Sequence, residues 1–307
     1  MHGLQGSATG LEYADGQVSG VRCGGQRLAA DFVVDAMGRA GKLPDWLARD
    51  GWERPPLERM RIDVDYATAY FKRSSLEPPV VAAISRFSPG YHKKTQAATA
   101  AIEDGQWMLM LSTYGGDGPI RDPEEFAARC ADLPPVFAGV AREERIGDIH
   151  TYHQGDARRR RWDHPIRMPA RLVSVGDAVA SFNPVYGQGM SSATLHASCL
   201  SEYLCGPADL SAPAREFFRL QKVVVDAAWE LSTGGDAQRL ETSRPGFAVR
   251  VQRALINQVI AAAVVDSGVS LRFNAVAFMR EHPSTLAAPG VLLRAIGVNL
   301  RRRPRRR

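Results

Sequence analysis

The chain has 307 residues and 45% of them are hydrophobic, so it can bury a sizeable core in one large or two coupled domains. Its formal net charge of +6 comes from 39 Lys and Arg against 33 Asp and Glu. Six arginines fall in residues 301–307, and without them the charges balance. The folded body therefore has no excess of positive charge to favour nucleic acid, and the tail is either a solvated, disordered end or a contact for an anionic surface.

The cysteines and the hydropathy pattern predict a cytoplasmic protein without a metal site or a membrane span. No two of the four cysteines form a Cys-x-x-Cys pair, and none stands at metal-ligand spacing from a histidine, so we expect reduced thiols. The N-terminus has no basic and apolar regions of the signal-peptide type. The most apolar stretch, residues 255–265, is interrupted by Asn257 and Gln258 and is too short to span a bilayer.

The first predicted elements are short strands at residues 10–13, 17–22 and 27–36. Asp15-Gly16 and Gly24-Gly25 are turn signals between them. The third run contains a continuous apolar stretch typical of a buried strand, and it leads into Asp35-Ala36-Met37-Gly38-Arg39.

After a linker with Pro55-Pro56, strands at residues 61–72, 80–87 and 106–114 predict an antiparallel sheet. Alternation with apolar residues places Asp63 and Asp65 on the solvent face of the first of these strands. Helices are predicted at residues 123–130, capped by Asp122, and at 136–144. Side chains that either line a substrate pocket or pack in the core are Tyr66, Tyr70, Trp107, Met108, Met110 and Tyr114.

The middle of the chain contains two groups that resemble functional sites. His150 and His153 lack an evident third metal ligand, so we interpret them as surface histidines. The basic run at residues 158–161 is either a solvated strand edge or a domain seam. A central strand is then predicted at residues 172–175, a helix from about Gln188 to Cys205, and further helices at 214–231, 245–265 and 269–280.

The segment 172–192, LVSVGDAVASFNPVYGQGMSS, has the strongest chemical pattern. A buried strand ends in Gly176, whose missing side chain lets another group approach the backbone. Asp177 then presents a carboxylate suited to sugar hydroxyls. Gly187 and Gly189 bracket a helix N-terminus, where free N–H groups stabilise negative charge. A Gly-Asp pair alone is weak evidence for a ligand site, and by itself it favours a tight strand-to-helix turn.

The full string resembles the second flavin-binding motif of the aromatic-hydroxylase-like (group A) FAD-dependent monooxygenases. In that family Gly-Asp meets the FAD ribitol, and the following Pro and Gly-x-Gly flank the isoalloxazine. Residues 30–43, ADFVVDAMGRAGKL, are similar to the family's strand-to-loop motif, with Met37 where many relatives have Thr. The Phe-Asn-Pro-Val-Tyr-Gly-Gln-Gly string resembles the epoxidase-like branch. The cofactor-binding residues that the resemblance implies are Asp35, Gly38, Arg39, Gly176, Asp177, Pro184, Gly187, Gln188, Gly189, Met190 and Ser191.

The resemblance implies an α/β flavoprotein monooxygenase fold with an incomplete N-terminal Rossmann unit, an antiparallel substrate sheet and a helical C-terminus. The expected regions are residues 1–54 and 166–210 for FAD, 55–165 for the substrate sheet, 211–300 for the helices and 301–307 for the basic tail. Family chemistry uses NAD(P)H to reduce FAD, and one oxygen atom of O₂ enters a small organic substrate by hydroxylation or epoxidation. No side chain is assigned as catalytic.

Two departures from the family pattern qualify these expectations. No Gly-x-Gly-x-x-Gly follows a first strand, because Gly3, Gly6 and Gly10 have the wrong spacing. We therefore expect the sequence to begin after the βαβ unit that holds the ADP half of FAD, and the chain to bind FAD weakly. The histidine that many hydroxylases carry after Gly-Asp is also absent, as in the epoxidase-like branch.

Three alternatives share the scaffold. A flavin-dependent halogenase would carry a Trp-x-Trp-x-Ile-Pro string, which this sequence lacks. A prenyl-lipid reductase shares the two loop motifs without using oxygen, but its aromatic-Pro-Lys string is absent. A truncated, non-enzymatic remnant would bind FAD weakly or not at all.

Overall fold

The computed structural model describes residues 2–73, 80–85, 95–115, 118–240 and 246–302, apart from the side chains of 238–240. The chain divides into two compact units. Unit 1 contains the described parts of residues 1–60 and 157–307, and unit 2 contains those of residues 61–156. Both predicted loop motifs lie in unit 1.

Unit 1 opens with an antiparallel three-stranded sheet in the order β1-β2-β3. Its strands are β1 (Ala8–Ala14), β2 (Gln17–Cys23) and β3 (Gln26–Ala29). The predicted turns are confirmed: Asp15, Gly16, Gly24 and Gly25 all have positive φ. Pairing runs from Ala14↔Gln17 in the first hairpin and from Cys23↔Gln26 in the second.

The single strand predicted at residues 27–36 is wrong, because the chain forms two strands there. It bends at Asp31 and Phe32 after β3, and β4 (Val33–Asp35) leaves for another sheet. There β4 pairs in parallel with β10 (Leu172–Ser174), with Val33 opposite Leu172 and Asp35 opposite Ser174. Because of this bend, the run predicted as one strand contributes strands to two different sheets.

The strand predicted at 172–175 exists as β10, but its central position is not found. Within the described residues, β10 pairs with β4 alone in a two-stranded sheet. Val34 on β4 is 40% exposed, although parallel strands are normally covered on both faces.

The long helices of unit 1 lie within the predicted helical regions, although their bounds differ, and the short helix at residues 43–49 was not predicted. The second half of the chain carries α4 (Gly189–Cys205), α5 (Arg215–Leu240), α6 (Phe247–Ala263), α7 (Ser267–Ala277) and α8 (Pro289–Arg302), after a short α1 (Leu43–Arg49). The prediction ended α5 at residue 231, but the helix continues through Gly234 and Gly235. Arg301 and Arg302, predicted in a disordered tail, lie in the last turn of α8. Positive side chains at this end interact favourably with the helix dipole. Residues 303–307 lie outside the described part.

Helices α6, α7 and α8 share a small core of Val259, Ala262, Val269 and Ala295. Within the described part of the chain, no single helix is both long and apolar enough to cross a bilayer. The α6–α7 pair meets the length and composition test together, but the two helices are bent by 116°.

Unit 2 is built on a sheet whose strands follow the order β9-β5-β8-β7-β6. The strands are β5 (Leu57–Lys72), β6 (Ala82–Ile84), β7 (Thr95–Ile102), β8 (Gln106–Tyr114) and β9 (Arg145–Arg160). The pairs β5–β8, β7–β8 and β6–β7 are antiparallel, as predicted for this sheet. Strand β7 was not predicted, because its alanine-rich sequence has low strand propensity. Residues 86 and 87 of the predicted second strand lie outside the described residues.

Two helices, α2 (Pro123–Ala131) and α3 (Pro135–Ala141), pack on this sheet. The predicted cap is confirmed, because the Asp122 carboxylate accepts the N–H of Glu125 at 2.8 Å. Trp107 is fully buried in the core with Phe71, Phe126 and Phe137. Trp107 was expected either to line a substrate pocket or to pack in the core, and its burial shows that it packs in the core.

The prediction that Asp63 and Asp65 both lie on the solvent face of β5 is wrong for Asp65. Its side chain is buried, and its carboxylate lies 2.9 Å from His153 Nδ1. Asp63 adopts a positive φ of 51°, and this irregularity breaks the alternation on which the prediction relied. His153 is thus tied to Asp65, and the described residues contain no group of three or more side chains suited to a metal.

The basic run at 158–161 is not a solvated edge. Arg159 is half-buried and binds Glu58 and Asp226, each at 2.7 Å, while its guanidinium covers the Trp229 ring. Arg161 contacts the same Glu58 at 3.2 Å. These arginines lie within an ion-pair network of unit 1 because strand β9 carries them toward α5.

Candidate flavin site

The two motif loops lie together because they follow neighbouring parallel strands. β4 and β10 run in the same direction, so their carboxyl ends reach the same edge, and the N–H of Val175 donates to the Asp35 carbonyl at 2.8 Å. The 3₁₀ turn Gly38–Ala40 after β4 then contacts the 3₁₀ turn Gly176–Ala178 after β10. Ligands of open parallel sheets bind beyond such carboxyl ends.

Asp35 shapes the first loop from inside. Its side chain is buried, with Oδ1 accepting the N–H of Met37 at 3.0 Å and Oδ2 accepting the Ser174 hydroxyl at 3.0 Å. Burial raises the pKa of the Asp35 carboxyl, and these two hydrogen bonds oppose the rise. Asp35 therefore links the loop to β10. Gly38, three residues later in the same loop, has a φ of +72°.

A polar chain connects the two loops. Arg39 Nη1 donates to the Ser181 hydroxyl at 3.1 Å, and Ser181 hydrogen-bonds to the Asp177 carboxyl. Asp177 is itself an exposed residue. Partial burial raises the pKa of its carboxyl, while the Ser181 hydrogen bond and the Arg39 charge lower it. The Asp177 carboxylate therefore faces solvent, while its hydrogen bond to Ser181 fixes its position.

The loop between Asp177 and α4 is anchored by a residue that the sequence did not indicate. The buried Asp236 on α5 accepts two hydrogen bonds from Asn183 Nδ2, at 3.0 and 3.1 Å, and one from the Tyr186 hydroxyl at 3.1 Å. Asn183 Oδ1 in turn accepts the N–H of Val185 at 3.2 Å and caps the 3₁₀ turn Pro184–Tyr186. Pro184 is exposed on this turn.

Helix α4 begins at Gly189, within one residue of the predicted start. Gly187 closes the preceding turn with φ +67°, and Gln188 is the buried N-cap residue of the helix. Met190 is 86% exposed, and Ser191 is half-buried. The 17-residue helix contacts the Gly-Asp turn, and the free N–H groups of its first turn follow directly after Gly187.

His196, on the second turn of α4, was missed by the sequence analysis. Its side chain is fully buried, and its Nδ1 accepts the N–H of Gly176 at 2.9 Å. Burial lowers the pKa of the imidazole to about 4, so the ring is neutral at pH 7 and carries its proton on Nε2. Spacing along the chain gave no signal for this contact.

The backbone around these loops leaves room for a ligand. A side chain at Gly38, Gly187 or Gly189 would meet no heavy atom within 4 Å, so open space lies against all three glycines. Gln188 Oε1 is buried without a hydrogen-bond partner within the described part of the structure. An orphaned buried acceptor is expected where a ligand or a water donates.

Unit 1 also contains a cavity, here called the Trp162 cavity, that is lined by other residues. It is lined by residues of α5 and of the loop after β9, including Trp162, Phe218 and Lys222. None of the predicted cofactor residues lines it. The Trp162 and Phe218 rings stack at 5.5 Å, so the two aromatic side chains form a packed wall of this cavity.

The fold is that of the flavin-dependent monooxygenases and hydroxylases. The flavin-dependent brominase Bmp2 covers 96% of this chain at 15% identity with a TM-score of 0.54, and the chain covers 70% of Bmp2. HpxO of Klebsiella pneumoniae, solved with FAD and uric acid, covers 95% at 13% identity with a TM-score of 0.53, and the chain covers 66% of it. OxyS anhydrotetracycline hydroxylase of Streptomyces rimosus covers 89% at 13% identity with a TM-score of 0.52, and the chain covers 51% of it.

In sequence, the chain is similar to Protein Rv3254 of Mycobacterium tuberculosis, with 36% identity over 183 residues. The match covers 58% of this chain and 37% of that protein, so the chain corresponds to well under half of its relative. No protein-family model matches the chain. At the low identities of the solved structures, hydroxylase, brominase and other chemistries share the fold, so activity has to be argued from the site.

Proposed function

We propose that the chain is the flavin-facing part of an FAD-dependent monooxygenase that uses NAD(P)H as reductant. The observation that carries the proposal is the meeting of the turns Gly38–Ala40 and Gly176–Ala178 at one edge of a parallel strand pair. Both turns belong to motifs that resemble the family's flavin loops, and they are brought together from distant parts of the sequence. The epoxidase-like branch remains the subtype that the Phe-Asn-Pro-Val-Tyr-Gly-Gln-Gly string favours.

In this proposal Asp177 binds ribityl hydroxyls, and Arg39 and Ser181 hold its carboxylate toward them. Gly38, Gly187 and Gly189 leave room for the ring system, while Pro184, Met190 and Ser191 border it. FAD, when bound, supplies the redox chemistry with O₂. The N-terminus of α4 provides the polar environment in which negative charge on the ring is stabilised, and Gln188 Oε1 accepts a hydrogen bond from an N–H or O–H group of the ligand.

Asp177 provides the test. Replacing Asp177 by Ala removes a charge-assisted hydrogen-bond acceptor worth about 1.5–3 kcal/mol, so FAD affinity should fall by roughly 10- to 150-fold. Affinity is measured by quenching of flavin fluorescence as the 307-residue chain is titrated into FAD. Asp209→Asn, an exposed carboxylate in the loop after α4, is the matched control and should leave FAD affinity unchanged.

Equal affinity of the wild-type chain and Asp177→Ala would remove the assigned role of Asp177. If the wild-type chain binds no FAD at all, the non-enzymatic alternative is favoured. If FAD is bound and reduced by NAD(P)H but O₂ consumption yields no oxygenated product with an alkene or phenol probe, a reductase of the prenyl-lipid type replaces the monooxygenase.

A further inference from the structure

A buried imidazole lies directly beneath the Gly176-Asp177 turn. His196 has no exposed surface, and its Nδ1 is the acceptor for the N–H of Gly176 at 2.9 Å. Its Nε2 lies 3.4 Å from the Ser192 hydroxyl one turn earlier on α4. A neutral histidine has one acceptor nitrogen, and here that nitrogen is directed at the backbone of the proposed site.

The turn that donates this hydrogen bond has an unusual backbone. Gly176 adopts φ +60°, the left-handed region that L-residues avoid. The direction of the Asp177 side chain depends on this conformation, because Asp177 is the next residue along the chain. A Cβ on Gly176 would meet only Ala193 Cβ, at 3.7 Å, which is ordinary contact. The Gly176 carbonyl accepts the N–H of Val179 at 3.0 Å, and the Gly176 N–H donates to His196, so hydrogen bonds hold the peptide groups on both sides of Gly176.

We propose that His196 is a positioning residue that fixes the Gly176 turn through its neutral Nδ1 and so directs the Asp177 carboxylate toward the flavin. The inference deepens the proposed function and rests on it for the identity of the ligand. Because the imidazole touches the backbone and not the ligand, His196 acts through Gly176 and Asp177. Helix α4 then has two roles, one at its N-terminus and one through this side chain.

Substitutions that keep or remove an acceptor at one particular atom separate positioning from general stability. Asn places its Oδ1 close to the position of Nδ1, Gln places its oxygen nearer Nε2, and Leu has no acceptor. We expect His196→Asn to keep FAD affinity within about twofold of the wild type, and His196→Leu and His196→Gln to lose on the order of tenfold. Thr194→Ala, on the exposed face of the same helix, is the matched control.

Two measurements are made on the full chain: FAD affinity by fluorescence titration, and hydrogen exchange of the Gly176 amide by NMR. The expected result is a protected Gly176 amide in the wild type and His196→Asn, and faster exchange with weaker FAD binding in His196→Leu and His196→Gln. If His196→Leu fails to fold, the contrast between Asn and Gln decides the question.

The inference is overturned if all three variants bind FAD equally well, or if Asn and Gln weaken binding equally. If the wild type binds no FAD, the proposed function fails, and Gly176 exchange still decides the role of His196. Equal protection of that amide in the wild type and His196→Leu then shows that His196 does not hold the turn, whereas its loss in Leu but not Asn shows that it does.

Discussion

At the scale of single residues, the site separates two aspartates that follow similar strands. Asp35 is buried and satisfied by Met37 and Ser174, whereas Asp177 faces solvent with only its rear held. Both carboxyls have a raised pKa because burial disfavours the charged form. Their different exposure makes Asp35 a loop-forming residue and leaves Asp177 as the group available to a ligand.

Fully buried, neutral His196 should make stability depend on pH. Its pKa falls to about 4 in the folded chain, against about 6.5 when unfolded. Between these values the unfolded state binds a proton that the folded state does not. Stability should therefore be lost as pH falls from about 6.5 to 4, by up to about 3 kcal/mol from this group.

Urea unfolding at several pH values, compared between the wild type and His196→Asn, measures this dependence. The subtraction removes contributions that both chains share, such as that of Asp35. We expect the stability of the wild type relative to the variant to decline toward low pH. A difference between the two chains that stays constant from pH 7.5 to 4.5 would contradict a buried neutral imidazole.

At the scale of elements, α5 supports the site from behind. Asp236 on this helix binds Asn183 and Tyr186, so the turn before Gly187 is tied to a helix that begins after the motif has ended. The neighbouring Gly235 makes room for this contact. A Cβ there would overlap the Tyr186 hydroxyl and ring.

The glycine pair in α5 gives a matched test of this support. Gly234→Ala meets no heavy atom within 4 Å and should stabilise the helix by roughly 0.5–1 kcal/mol. Gly235→Ala should destabilise the chain by about 1–3 kcal/mol, because the added methyl displaces Tyr186. Urea midpoints of both variants measure the difference, and equal midpoints would show that Tyr186 does not occupy the space beside Gly235.

Local signals made the elements predictable, and long-range contacts limited the rest. Asp15-Gly16, Gly24-Gly25 and the glycines around Gln188 specify turns and a helix start by their own backbone preferences. The switch of β4 from the first sheet to β10 depends on a partner that lies far along the chain, so the apolar run alone did not reveal it. Asp236 and His196 were missed for the same reason, since only the folded chain places them under the loops.

At the scale of the whole molecule, the chain has the fold of flavin-dependent monooxygenases while spanning only part of its relatives. Unit 1 contains both loops whose sequences resemble flavin-binding motifs, and unit 2 contains an antiparallel sheet with its own aromatic core. The resemblance predicted the fold class, because its two short motifs imply two loops on one sheet, separated by an antiparallel sheet and followed by helices. It did not predict that Arg301 and Arg302 belong to α8, or that Arg159 pairs with Glu58 and Asp226.

The central claim is that residues 35–41 and 176–191 together form the flavin site. Hydrogen exchange measured by mass spectrometry with and without FAD tests it most directly, because each peptide reports separately. We predict slower exchange on FAD addition in the peptides that cover both loops, and no change in those that cover the Trp162 cavity. Protection confined to one loop, to that cavity or to unit 2, or no protection anywhere at millimolar FAD, would contradict the account.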